Sequence, residues 1–217
     1  MLREGKTGQL VFDLNIVSVQ HGGVGTKMCF ACDALDNMKR LRGREDKIIL
    51  RGTSLGINGK VFDALILNLD VFMFELYSVL DSFAVELQEI FGLQIRRKKR
   101  ARDVRYFLEL TDAEGLDRDI RQLVCDLRKQ DWFDYFHRLR TRITHRMPLD
   151  PQIRYRHDGK GKVVKSDFSC LPDDPDEALA TFEKEIDLTR EPEKWLDALF
   201  CFADSACGIL VKLMSAA

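Results

Sequence analysis

The stretch Asp131–Asp150, DWFDYFHRLRTRITHRMPLD, governs how the rest of the chain is read. At about 100° per residue, Trp132, Phe136, Leu139, Ile143 and Met147 share one side of a helix. His145 falls on the opposite side with Asp134, Arg138 and Thr141, and Arg142 lies three residues back on its shoulder. Pro148 disfavours helical geometry in the residue before it and Pro151 follows closely, so the helix is expected to stop near Met147. His145 then sits in the last turn. The carbonyl end of the helix dipole favours its imidazolium form there, while the neighbouring arginines oppose it. A group that titrates near neutral pH among permanent cations suits the handling of a phosphodiester.

Upstream of this helix, residues 103–130 read as further helix, with Leu116, Ile120, Leu123, Val124 and Leu127 on the apolar side. Before them lies IRRKKRARDVRYF, in which Arg96, Arg97, Lys98, Lys99, Arg100, Arg102 and Arg105 crowd together beside Tyr106 and Phe107. Such a cluster suits contacts to phosphates and stacking on an unpaired base, or forms a solvated face that balances acids elsewhere. A long helix is expected from about Lys60 to Phe91, ended by Gly92. Asp63, Asp70, Asp81 and Gln88 line up along one of its edges within about 20°. This stripe reads as a solvated edge, or else one of its acids, Asp81 foremost, faces the arginines of the later helix, since aspartate–arginine pairing fixes geometry. Thr26 is expected to cap a helix over about 27–41, and Leu41–Gly59 reads as turn-rich. Residues 1–25 fit a strand or an opening helix, and the glycines at 22, 23 and 25 lack the Walker lysine–hydroxyl pair of a phosphate loop.

Downstream, QIRYRHDGKGKVVKSDF reads as two short strands around a D-G-K-G turn. Pro172, Asp173, Asp174 and Pro175 punctuate the chain, and two helices are expected after them, at about 176–188 and 191–214. The expected class is mainly α: one helical domain with a core over about 26–150, a β-hairpin over about 151–170 and a C-terminal helical pair over about 176–215.

With 217 residues, 45% of them hydrophobic, the chain is long enough for one sizeable core. Its net charge of −1 gives no overall attraction to nucleic acid, so any such binding must come from local patches. The N-terminus has no signal-peptide core and no segment runs to eighteen uncharged apolar residues, so a cytoplasmic protein without a membrane partner is expected. Its six cysteines would then be reduced, and they are read as buried, inert thiols because the single C-x-x-C at Cys29 and Cys32 has no second pair. Neither a metal nor a cofactor is expected.

The string LRTRITHR resembles the signature of the HEPN superfamily, small helical proteins with an arginine, four to six intervening residues and a histidine near a helix end. Arg140 and Arg138 both fit, with four and six residues before His145, and the weak likeness extends over about residues 57–150. The resemblance implies an up-and-down helical bundle and, in enzymatic members, metal-independent RNA cleavage by homodimers. His145 would then act as acid or base toward the 2′-hydroxyl, and Arg140 or Arg138 would stabilise the phosphorane charge. Thr141 stands where many active members have Asn, Asp or His. Asp81 would support the site, while Arg96, Arg97, Lys98, Lys99, Arg100, Arg102, Arg142 and Arg146 would hold the RNA backbone. Other members bind nucleic acid or partners without catalysis, which keeps a regulatory protein with a protein antitoxin or regulator as its partner in view.

Overall fold

The computed structural model describes residues 2–4, 10–12, 23–50, 59–93, 106–145, 152–160, 163–176 and 181–216. The chain is mainly helical. A short antiparallel pair, β1 (Leu2–Glu4) and β2 (Leu10–Phe12), precedes two long helices, α1 (Val24–Leu50) and α2 (Gly59–Phe91). A one-turn helix α3 (Tyr106–Glu109), a 3-10 turn at Leu110–Asp112, α4 (Arg118–Arg128) and α5 (Asp131–His145) follow. Then come β3 (Gln152–His157), β4 (Val163–Leu171), β5 (Ile186–Asp187) and α6 (Arg190–Ala216). The strands β3, β4 and β5 form a three-stranded antiparallel sheet in that order.

These elements divide into two compact units. Unit 1 comprises Met1–Cys29, Glu75–Gln130 and Leu199–Ala217; unit 2 comprises Phe30–Phe74 and Asp131–Ala198. In unit 1 the helical period buries Leu76, Leu80, Phe83 and Leu87 of α2 and Ile120, Val124 and Leu127 of α4. Phe202 of α6 packs edge-on against Phe83 (ring centroids 5.0 Å apart) and Phe107 (5.8 Å). Each such side chain contributes about 1.5–3 kcal/mol through removal from water. In unit 2, Trp195 of α6 is 1% exposed and meets the rings of Tyr135 (5.9 Å) and Phe136 (5.6 Å) on α5. Ala31, Leu35 and Met38 of α1, with Leu65, Leu69 and Phe72 of α2, complete that core.

The helix boundaries follow from local chemistry. Gly92, with φ of +62°, ends α2 in the left-handed region, and the Leu93 N–H donates to the Gln88 carbonyl at 2.9 Å to close the end. The expected long helix over about Lys60–Phe91 is therefore present. Helix α1 begins at Val24, after Gly23 at φ +59°, with the Val24 N–H donating to Glu86 at 3.3 Å, so Thr26 lies within the first turn instead of capping it. Helix α1 also runs to Leu50, where the sequence reads as turns from Leu41. Its residue Arg42 reaches Asp187 (2.8 Å) and Thr189 (2.7 Å), giving this charged stretch a tertiary anchor that local propensity does not reveal.

The expected single helical stretch over 103–130 is broken. Gly115 at φ +83° interrupts it, and Asp117 starts α4 anew by accepting from the N–H groups of Asp119 and Ile120. The hairpin is where the sequence places it, with the Lys160 N–H donating to Asp158 at 2.9 Å in the turn. The first helix of the C-terminal pair is absent from the described part of 176–188. Asp173 there takes the N–H groups of Glu183 and Lys184, Glu185 adopts φ +50°, and β5 follows. The second helix is α6. Its span Arg190–Ser215 is long and apolar enough to cross a membrane, by length and composition. The cysteines depart from expectation: Cys29, Cys201 and Cys207 are exposed and Cys32 and Cys125 half-buried, because neighbours such as Met28, Ala31, Phe202 and Ala206 occupy the inward positions.

Candidate functional site

Helix α5 carries the residues of most chemical interest, and a short acidic segment lies along its polar face. Tyr135, Arg138 and Arg142, at i, i+3 and i+7, share that face. The Tyr135 hydroxyl donates to the Pro172 carbonyl at 2.7 Å. Arg138 donates to Asp174 (2.7 Å) and to Asp134 one turn back (2.9 Å), with the Asp176 carboxylate at 3.7 Å. Arg142 donates to the Pro175 carbonyl at 2.7 Å. Successive residues of the segment thus meet successive turns of the helix.

The segment is fixed by its own anchors. Pro172, Asp173 and Pro175 are buried, and the Asp173 N–H donates to the Thr181 carbonyl at 2.8 Å. Burial alone would raise the Asp173 carboxyl, but the N–H groups of Lys184 (2.8 Å) and Glu183 (2.6 Å) outweigh it and hold the group below the usual carboxylate range. Asp174 also accepts from the Asp176 N–H at 2.8 Å. The pairs to Arg138 are more open: its side chain is 31% exposed, that of Asp174 40% and that of Asp176 51%. Ion pairs with this access to water contribute at most about 1 kcal/mol each. Burial opposes the charge on Arg138, and the surrounding carboxylates, Asp174 and Asp134 foremost, more than restore it. The Tyr135 hydroxyl is pushed upward by burial and then by the Asp173 charge, so it remains a donor at neutral pH.

Each candidate from the sequence has a place relative to this arrangement. The Thr141 hydroxyl donates to the His137 carbonyl at 2.8 Å, committing its proton to its own helix. Arg140 is half-buried with its Nε enclosed, in keeping with its position at the edge of the apolar stripe. Helix α5 continues to His145. In a regular helix Arg138 lies within about 20° of His145 and about 10.5 Å along the axis, whereas Arg140 lies about 140° around. Asp81 is half-buried on α2 and belongs to unit 1, while α5 belongs to unit 2. Arg146 and the cluster of Arg96, Arg97, Lys98, Lys99, Arg100 and Arg102 lie outside the described residues.

Two features were not found from the sequence. The first is the 172–176 segment, read as punctuation although its acids answer the arginines of α5; the alternation of proline and aspartate was the available signal. The second is a groove of about 350 Å³ lined by Asn37, Arg40, Leu41, Arg44, Ala64 and Asn68. It went unseen because residues from Leu41 onward were read as turns. Among the described residues, no group of three or more His, Cys, Asp or Glu side chains is arranged to hold a metal ion. No protein-family model matches the sequence, and neither a curated protein nor a solved structure matches the chain.

Proposed function

We propose that the chain is an RNA-binding helical protein of HEPN type that cleaves RNA without a metal, as a homodimer, using His145 and an arginine of α5. The observation that carries this reading is the uninterrupted course of α5 to His145, which aligns Arg138, Thr141 and Arg142 with the histidine on one polar face. On that face His145 takes the proton of the 2′-hydroxyl as it attacks phosphorus. The same oxygen closes a 2′,3′-cyclic phosphate while the bond to the 5′-oxygen breaks and that oxygen takes a proton from the imidazolium of His145, which returns to its neutral form. Arg138 stabilises the charge that builds on the non-bridging oxygens. Arg140, on another side of α5, is the arginine suited to a site completed by the second copy.

A second reading, a binding or regulatory protein without catalysis, is favoured by one observation: Arg138 and Arg142 are already engaged by residues 174–176. Incubation of the purified chain with single-stranded and structured RNA in excess EDTA separates the two. The nuclease reading expects fragments ending in 2′,3′-cyclic phosphate and a loss of about 10²–10⁴-fold in rate for His145→Ala. RNA left intact by the folded wild-type protein would refute it.

A further inference from the structure

Residues 172–176 meet α5 in a way that a structural turn does not require. Tyr135, Arg138 and Arg142 span about 10.5 Å along the helix axis. The segment bends at Asp173 and turns at Pro175 beside them, delivering the Pro172 carbonyl, the Asp174 carboxylate and the Pro175 carbonyl to the three side chains in turn. What holds the segment is elsewhere: buried Pro172 and Pro175, and the Asp173 carboxylate on the Glu183 and Lys184 N–H groups. Asp174 and Asp176 are left to place negative charge on Arg138, and both are partly open to solvent. A guanidinium nitrogen that meets two partly open carboxylates on a tethered segment could instead meet the oxygens of a phosphodiester.

We propose that residues 172–176 are an acidic strap that occupies the RNA-phosphate positions on the arginine face of α5 and must be displaced before RNA can bind there. The proposal rests on the RNA-binding reading above. The strap acts as an intramolecular competitor, so the apparent affinity for RNA is lowered by the fraction of molecules in which Arg138 is covered. Because Asp173 and the prolines keep the segment tethered, removal of the two outer charges takes the strap's carboxylates off Arg138, leaving its pair with Asp134 on its own helix, without releasing the chain.

The test uses the full chain and a fluorescein-labelled 2′-O-methyl oligouridylate, which cannot be cleaved, with anisotropy measured at fixed ionic strength. Asp174→Asn together with Asp176→Asn retains the Oδ1 acceptor for the Asp176 N–H while removing both charges. This variant is expected to bind roughly tenfold more tightly, and Arg138→Gln added to it should abolish the gain. Asp33→Asn with Asp36→Asn, which makes the same charge change on exposed positions of α1, should give a much smaller gain. Measurable but equal affinity of wild type and the strap variant would overturn the strap, as would an equal gain in the α1 control. Absence of binding by every folded variant would overturn the RNA reading itself, and the strap with it. Should the double variant fail to fold, Asp176→Asn alone decides: tighter binding upholds the strap and unchanged affinity overturns it.

Discussion

Arg121 and Arg128 in unit 1 do different work from Arg138 in unit 2. In unit 1, Arg121 donates to the main-chain carbonyls of Thr111 and Ala113, the latter at 2.9 Å. Arg128 reaches the Leu108 carbonyl (3.1 Å) and the Thr111 hydroxyl (3.0 Å). Both tie α4 to the 3-10 turn, and apart from the Thr111 hydroxyl their acceptors are backbone carbonyls. In unit 2, Arg138 is held by three carboxylates that keep substantial access to water. A guanidinium bound to backbone carbonyls holds the fold, because those acceptors move only with the chain. One bound to open carboxylates can exchange them for another anion. That difference is why α5, and not the equally basic α4, is read as the functional helix.

The comparison presupposes that each unit has its own core. Trp195→Ala in unit 2 should cost about 3–5 kcal/mol, and Phe202→Ala in unit 1 a similar amount, both measured by urea unfolding. A loss below about 1 kcal/mol at either site would break the comparison at its base. Acid provides the next largest effect, confined to unit 2. Burial would raise the Asp187 carboxyl, but Arg42 and the N–H groups of Thr189 and Arg190 hold it, like Asp173, below the ordinary 3.8. Groups whose folded pKa is depressed stabilise fully above the unfolded value and lose that contribution as pH falls through the folded one. Amide protection at Glu183, Lys184, Thr189 and Arg190, relative to intrinsic exchange at the same pH, should therefore fall below about pH 4, ahead of protection in the Arg121-bound turn, whose acceptors do not titrate. A uniform fall across both units would contradict this.

The smallest effect has the opposite sign. Burial raises the Asp70 carboxyl, and its Oδ1 is enclosed without a hydrogen-bond partner among the described residues. A raised carboxyl favours the folded state below the unfolded pKa and loses that contribution as pH rises through the folded value. Asp70→Asn should consequently raise the thermal midpoint modestly at neutral pH, with the gain vanishing near pH 3. A lowered midpoint at neutral pH would show that the charge is stabilised by its surroundings.

The long helices were legible because their apolar residues recur with the helical period over many turns, as at Leu76, Leu80, Phe83 and Leu87, and because Gly92 marks an end. The hairpin was legible from a local turn motif. What escaped was tertiary. Arg138 and Asp174 are 36 positions apart, and Arg42 and Asp187 are 145 apart, distances over which no local pattern carries information. The expected helix at 176–188, absent among the described residues of that range, failed for the same reason, since the Asp173 carboxylate claims backbone N–H groups that a helix would otherwise use. At the candidate site the helix and its polar face were readable, but the acidic partner of that face was not.

The account turns on Arg138 being held by exchangeable anions and Arg121 by the fold. Arg121→Gln and Arg138→Gln, compared side by side for thermal stability and for affinity toward uncleavable RNA, test this directly. Arg121→Gln should cost about 1–3 kcal/mol of stability and leave the affinity of the folded protein unchanged. Arg138→Gln, whose open ion pairs contribute at most about 1 kcal/mol each, should weaken RNA binding several-fold or more. A large loss of stability for Arg138→Gln with unaltered RNA affinity would contradict the account and make the α5 arginine a structural residue.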